Sequence, residues 1–256
     1  MNKQYRFNMI LKFLPIFIFS IIFCNELDPL DILEKSIHRL DSTDINFFCN
    51  IKQQSLSNDP VNFTLSLSSY RPYIDSLTYY NYIKFHSPID YKDVEVLAKY
   101  HNDDISLKKK IPINNEITDI NNNSDNANVI SLFNFIELLR EVKSKKLLLK
   151  SKKINQIEVH FIKAYSEKSK KKSIKFYIDK ENYAIYKIEW TDKKGRVMKT
   201  LLFENWSFID NIYFSSKIIY EDIKQGTKIT CDLSKIKFKK SSKEIIDLIE
   251  SIFNVK

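Results

Sequence analysis

The chain has 256 residues, of which 43% are hydrophobic and 13% aromatic, and its formal net charge is +9. This composition is too apolar and too aromatic for a disordered chain. The basic excess is moderate and comes without a recognition motif, which argues against nucleic acid as a partner. The presence of two glycines in the whole chain argues against a glycine-rich nucleotide-binding loop.

The first segment of the chain has the pattern of a secretory signal peptide. Lys3, Arg6 and Lys12 give it a basic start without acidic residues, and an apolar run follows from Phe13 to Phe23. A membrane-spanning helix needs about 20 apolar residues, and this run is much shorter. A basic start before a short apolar run is typical of a signal peptide. We therefore predict that residues 1–24 are a signal peptide and that the protein works outside the cytoplasm.

The end of this segment allows two mature forms. Ile21, Ile22 and Phe23 before Cys24 resemble a degraded lipobox, and a lipid on Cys24 would tether the protein to a membrane. Phe23 is bulky where a small residue normally precedes a lipidated cysteine, so we favour cleavage after Cys24 and a soluble product. Residues 25–256 are predicted to form a single domain. Its net charge is +6, because the segment holds three of the 41 basic residues and none of the 32 acidic ones.

An amphipathic helix is predicted from Asp28 to Leu40. Its apolar residues are spaced by three, four and three positions, which places them on one face: Leu30, Leu33, Ile37 and Leu40. The residues between them supply its polar side: Glu34, Lys35, His38 and Arg39. Asp28 can cap the helix, and Pro29 suits its first position.

Most of the remaining chain is predicted to be β-strand. Alternating apolar residues or β-branched and aromatic runs mark strands at 47–53, 61–69, 78–86, 94–100, 105–111, 157–164, 173–178, 184–190, 197–206, 212–220, 227–233 and 235–239. A polar loop is predicted at 113–128, and further helices at 130–149 and 242–253. Short polar turns between successive strands favour an antiparallel meander.

These elements predict a mainly β (α+β) fold. A large antiparallel sheet of about ten strands tends to curl, so we expect a curved sheet that forms a half-open barrel, with helices covering its concave face. Such an arrangement can enclose an apolar cavity.

No pattern typical of catalysis or metal binding is present. The four histidines lack the spacing of metal ligands, and neither a G-x-S-x-G nor a C-x-x-C motif occurs. We therefore predict that the protein is not an enzyme and holds no metal or cofactor. Cys49 and Cys231 leave two possibilities open, a disulfide or two buried thiols.

The content of large apolar side chains permits an acyl-chain pocket, although the same residues could simply pack the sheet against its helices. Burial of an acyl chain stabilises a complex by about 0.8 kcal/mol per methylene group, without any special residue. Six side chains are the candidates for the concave wall of such a pocket: Phe63, Tyr82, Phe85, Phe176, Ile188 and Trp190.

The order of several short motifs resembles the LolA-like family of periplasmic lipoprotein carriers and outer-membrane lipoprotein-sorting proteins. The signal segment is followed at once by the amphipathic helix. The next motif that resembles the family is Tyr82–Asp90, a strand that ends in an x-x-P turn. A segment made of a strand, a D-x-x-G turn and a further strand follows at Ile174–Asp179, Ile185–Gly195 and Lys199–Phe203. The last motif is Gly226–Ile229, near the end of the chain.

The resemblance implies a half-barrel with a helical lid that holds the acyl chains of lipoproteins in the periplasm. Its partners would be an inner-membrane lipoprotein-release complex and an outer-membrane acceptor, and the carrier itself would be a monomer. The alternative is a membrane-anchored lipoprotein of the same fold, acting as acceptor or envelope-stress sensor. One feature departs from the family. The arginine followed by proline that helps to hold the lid would fall at Leu77 and Thr78, whereas Arg71-Pro72 is offset by six residues.

Overall fold

The computed structural model describes residues 27–40, 43–56, 59–70, 78–101, 104–119, 135–154, 156–240 and 243–253. The predicted signal segment, Cys24 and Arg71-Pro72 lie outside these ranges. The helices are α1 (Pro29–His38), α2 (Phe135–Lys143) and α3 (Lys243–Ile252), with a short 3-10 helix at Ile89–Tyr91. The strands are β1 (Thr43–Ser55), β2 (Val61–Tyr70), β3 (Thr78–Ser87), β4 (Glu95–His101), β5 (Asp104–Ile111), β6 (Glu116–Asp119), β7 (Lys146–Ile154), β8 (Ile157–Ser166), β9 (Ser169–Asp179), β10 (Ile185–Thr191), β11 (Val197–Ile209), β12 (Ile212–Asp222) and β13 (Thr227–Lys240).

All the strands belong to one curved antiparallel sheet of 13 strands, in the order β6-β5-β4-β3-β2-β1-β13-β12-β11-β10-β9-β8-β7. The strands β1–β6 form one meander and β7–β13 form another, and the pairing of β1 with β13 joins the two arms. The sheet is unclosed, because β6 and β7 stand at opposite ends of this order. The predicted mainly β architecture and its antiparallel meander are confirmed.

Helix α1 forms where the sequence predicts it. The Asp28 carboxylate accepts a hydrogen bond of 2.8 Å from the Leu30 backbone N–H, which satisfies one of the free donors at the helix start. Ile32, Leu33 and Ile37 are buried in the main core together with residues of both arms of the sheet. We call the sheet face that shares this core with α1 the inner face.

Two predicted elements differ from the structure near the middle of the chain. The helix predicted over 130–149 is present as α2 only at Phe135–Lys143, residues 130–134 lie outside the described ranges, and Lys146 already begins β7. Leu147 and Leu149 pair with Ala164 and Ile162 of β8, so strand pairing prevails over the helical spacing in this segment. The polar stretch predicted as a loop includes the short strand β6, which pairs with β5.

The last strand of the chain also differs from its prediction. Two strands were predicted at 227–233 and 235–239, and the structure has the single strand β13. Lys235 has a φ of 52°, and the register between β1 and β13 shifts between Asn46 and Phe48. A bulge of this kind bends a strand without ending it, which explains the apparent break in the alternation.

Helix α3 lies on the sheet face opposite to α1, which we call the outer face. Tyr79 of β3 belongs to the main core, whereas its neighbour Tyr80 packs in a separate cluster with Leu97, with Ile249 of α3 and with Phe253, the residue that follows α3. Successive side chains of a strand point to opposite faces. Helices α1 and α3 therefore lie on opposite faces of the sheet, and the expectation that the helices cover the concave face is not confirmed.

Two buried thiols lie side by side where β1 meets β13. Cys49 and Cys231 are both 0% exposed and both free, and their strand positions are offset by two residues. The hydrogen bond with Cys231, followed by burial, raises the pKa of Cys49. Of the two open possibilities, the structure thus has two buried thiols.

We expect both thiols to be inert in the folded protein, because a buried neutral thiol is a poor nucleophile. In a chain that starts at Asn25, iodoacetamide should add no mass under native conditions, as measured by intact mass spectrometry. In guanidinium chloride the same reagent should modify both cysteines. Native labelling of either thiol would contradict the buried arrangement.

Candidate ligand-binding cavity

A cavity of about 870 Å³, measured with its open mouth, lies between the end of α1 and the inner face. Most of its wall is apolar: Ile37, Leu40, Ile45, Phe47, Leu67, Tyr79, Ile185, Phe203, Trp206, Phe214 and Ile218. Its polar lining consists of Ser36, Arg39, Ser69, Asn81 and Ser215. Both arms of the sheet contribute, so the cavity spans the join between β1 and β13.

Strand register explains why there is space at this point. Ile45, Ser69, Asn81 and Ala98 stand opposite one another on the four adjacent strands β1 to β4. Ser69 and Ala98 are small, whereas the neighbouring row of the same face carries Leu67, Ile83 and Val96. A row with small side chains leaves a depression between rows of large ones.

The wall formed by β11 and β12 is aromatic and held in place. The Trp206 ring stacks on the Tyr213 ring at a centroid distance of 5.1 Å, and its Nε1–H donates to the Phe203 carbonyl at 2.9 Å. Tyr186 meets Trp206 edge-on, also at 5.1 Å, and its hydroxyl donates to Asp179 at 3.1 Å. Burial, and then the hydrogen bond with Tyr213, raise the pKa of Tyr186. These contacts fix the orientation of the Trp206 ring at the cavity.

Arg39 supplies a positive charge to the cavity wall. It is the residue that follows α1, its Nη1 donates to the Tyr213 carbonyl at 2.7 Å, and its guanidinium lies 5.8 Å from the centre of the Trp206 ring. Burial lowers the pKa of Arg39 to about 10. Among the residues that the structure describes, no carboxylate forms an ion pair with it.

Asn81 places an amide in the same cavity. The residue is 3% exposed and stands opposite Ser69 on β2 and Ala98 on β4. Within the described ranges its side chain makes no hydrogen bond, although buried amides are normally satisfied.

The six residues predicted for the acyl-chain pocket lie elsewhere. Five belong to the inner-face core or pack against it: Phe63, Phe85, Phe176, Ile188 and Trp190. Tyr82 lies on the outer face, where its ring meets Phe253 edge-on at 6.2 Å. None of the six lines the cavity described above. Their role in a pocket stays a prediction.

Few features of the sequence indicated the residues that do line the cavity. Arg39 was assigned to the polar side of the first helix, but α1 ends at His38, and the turn that follows directs Arg39 to the cavity. Asn81 interrupts the aromatic run of β3, and this interruption is the one signal that could have identified it.

The described ranges contain no group of three or more His, Cys, Asp or Glu side chains that could hold a metal ion. None of the helices described is long and apolar enough to span a membrane. The cavity offers apolar surface and hydrogen-bond donors, a combination suited to binding.

Comparison with solved structures shows the same fold in several bacterial proteins. A DUF1329 family protein from Desulfovibrio piger has a TM-score of 0.66 at 16% identity, covering 88% of this chain and 95% of that one. A structure described as an outer membrane lipoprotein-sorting protein domain, from Vibrio parahaemolyticus, has a TM-score of 0.65 at 16% identity, covering 88% and 97%. A LolA superfamily protein from Nitrosomonas europaea has a TM-score of 0.54 at 15% identity, covering 84% and 95%.

None of the curated proteins matches the chain in sequence. A family model with the description "Uncharacterized protein" matches residues 78–246, which is more than half of the chain. The chain therefore belongs to the family that this model describes, and the resemblance to LolA-like proteins is confirmed at the level of the fold.

Proposed function

We propose that the protein binds the acyl chains of lipoproteins in this cavity and carries them through the periplasm toward the outer membrane. The observation that carries the proposal is the largely apolar cavity between α1 and the two arms of the sheet. The fold it shares with a lipoprotein-sorting domain supports this choice of ligand, and the predicted signal segment supports the location.

Burial of apolar surface would hold an acyl chain in the cavity without covalent chemistry. Each buried methylene group contributes about 0.8 kcal/mol, and the loss of motional freedom on association offsets part of this gain. Such a non-covalent complex can still release its ligand to an acceptor. The rigid aromatic wall at Trp206 would let the cavity remain open while it is empty.

Filling the cavity should weaken binding. Ile218 is 5% exposed and lines the cavity, so we expect Ile218→Trp to displace at least two methylene groups of a bound chain. Affinity should then fall about tenfold, at about 0.8 kcal/mol per methylene group. The measurement is displacement of the fluorescent dye Nile red from the chain starting at Asn25 by a synthetic triacylated lipopeptide.

Ile223→Trp is the matched control, because Ile223 is 59% exposed and is not part of the cavity wall. Its affinity should equal that of the unmodified protein, and circular dichroism should show that both variants are folded. Ser69→Phe provides a second way to fill the cavity. No saturable binding of the lipopeptide, or equal binding by all variants, would reject the proposal.

A further inference from the structure

Two groups in the cavity are not needed to hold a hydrocarbon chain. Arg39 brings a cation and Asn81 a buried amide to a wall that is otherwise mostly apolar. Asn81 is buried without a hydrogen-bond partner among the described residues, which is unfavourable, and Arg39 has further donors besides the one that bonds the Tyr213 carbonyl. Their presence is explained if a ligand supplies the missing acceptors.

We infer that Arg39 and Asn81 form a polar subsite that donates hydrogen bonds to the carboxylate or ester oxygens at the head of an acyl chain. This inference rests on the proposed function, since it assumes that the tail of the chain lies against the apolar wall. It adds the chemical class of the head group that the cavity selects.

The donors available at the two positions determine this class. A guanidinium has five N–H donors and no acceptor, and the structure shows one of the Arg39 donors bonded, to the Tyr213 carbonyl. The amide of Asn81 offers two further N–H donors, and the neighbouring Ser69 adds a hydroxyl group. Oxygen acceptors match this set, and a negative charge matches the cation. An ammonium head group would meet a like charge at Arg39.

The geometry around Arg39 favours a fixed subsite over a mobile surface charge. Its bond to Tyr213 and its position over Trp206 hold the guanidinium plane, and Trp206 is itself fixed by Tyr213 and Phe203. A charge held in place before the ligand arrives loses little conformational freedom on binding.

Ligands with the same tail and different head groups test the inference. Displacement of Nile red should show that palmitate and methyl palmitate bind the unmodified protein about tenfold more tightly than hexadecylamine, as expected for one charge-assisted hydrogen bond. In Arg39→Met the preference should disappear, so that the ratio of the affinities for palmitate and hexadecylamine is about one, since the change removes the charge. Arg196→Met is the matched control, because Arg196 lies in an exposed turn, paired with Asp192 at 2.7 Å. It should keep the preference.

Asn81→Leu gives a second measurement that does not depend on the folding of the Arg39 variant. It should weaken palmitate binding and, because it removes an unsatisfied buried amide, should also raise the melting temperature of the ligand-free protein. An unchanged head-group preference in Arg39→Met together with an unchanged palmitate affinity in Asn81→Leu would overturn the inference while leaving acyl-chain binding intact. Failure of the unmodified protein to bind any of the ligands would reject the proposed function and, with it, the subsite.

Discussion

Replacement of Phe176 by alanine is expected to lower the free energy of unfolding by about 3–5 kcal/mol. Phe176 is 0% exposed, and its strand partners Ile162 and Ile188 are also 0% exposed. Removing the ring leaves a void between side chains that belong to three rigidly paired strands, so the surroundings cannot collapse into it. Guanidinium chloride unfolding, followed by circular dichroism, measures the loss.

Phe208→Ala is the control for this experiment, because Phe208 is 69% exposed, and its effect should stay within about 0.5 kcal/mol. A loss at Phe176 below about 1 kcal/mol would mean that the ring does not pack a filled core. That result would favour the pocket role predicted for this residue from the sequence.

Replacement of Phe253 by alanine should detach α3 from the outer face, at a cost of about 3 kcal/mol. Phe253 is 0% exposed and contacts Tyr82, while Glu250 of α3 pairs with Lys99 at 3.0 Å and accepts a hydrogen bond from the Tyr80 hydroxyl. Hydrogen exchange should show faster exchange throughout α3. Lipopeptide affinity should be unchanged, since the cavity opens on the other face.

Leu248→Ala serves as the control on the same helix, because Leu248 is 61% exposed, and it should leave exchange in α3 unaltered. If Phe253→Ala weakened lipopeptide binding by tenfold or more, about 1.4 kcal/mol, α3 would take part in the cavity after all. The two faces of the sheet would then not act independently.

Much of the fold follows from patterns within single strands. The alternation of β2, and the cap and apolar spacing of α1, predict both elements within one or two residues of their ends. The errors arose where pairing with another strand decides the outcome. The Leu147–Leu149 segment fits a helical spacing, yet it forms a strand that pairs with β8. The alternation of apolar residues is interrupted near Lys235, but pairing with β1 continues on both sides of this point, so that β13 is one strand.

The binding site was harder to predict, because it depends on which face each side chain occupies. Tyr82 and Phe85 are three residues apart, so a regular strand directs them to opposite faces, and the structure does so. The spacing of these two residues in the sequence thus already argues against a pocket wall that contains both. The cavity itself could not be predicted, because its depth depends on the pairing of Ser69 with Asn81, which is set by the register of β2 against β3.

The pairing of β1 with β13 has a consequence for the time at which the protein becomes competent to bind. Each meander can assemble from neighbouring strands, but Thr43 meets Lys240 across nearly the whole sheet-forming chain, and such distant contacts form slowly. During synthesis the N-terminal arm is made first. Until the second arm is made the cavity is incomplete, because Ile185, Phe203 and Ile218 of its wall belong to that arm. If the cavity binds acyl chains as proposed, ligand uptake would require both arms to be folded.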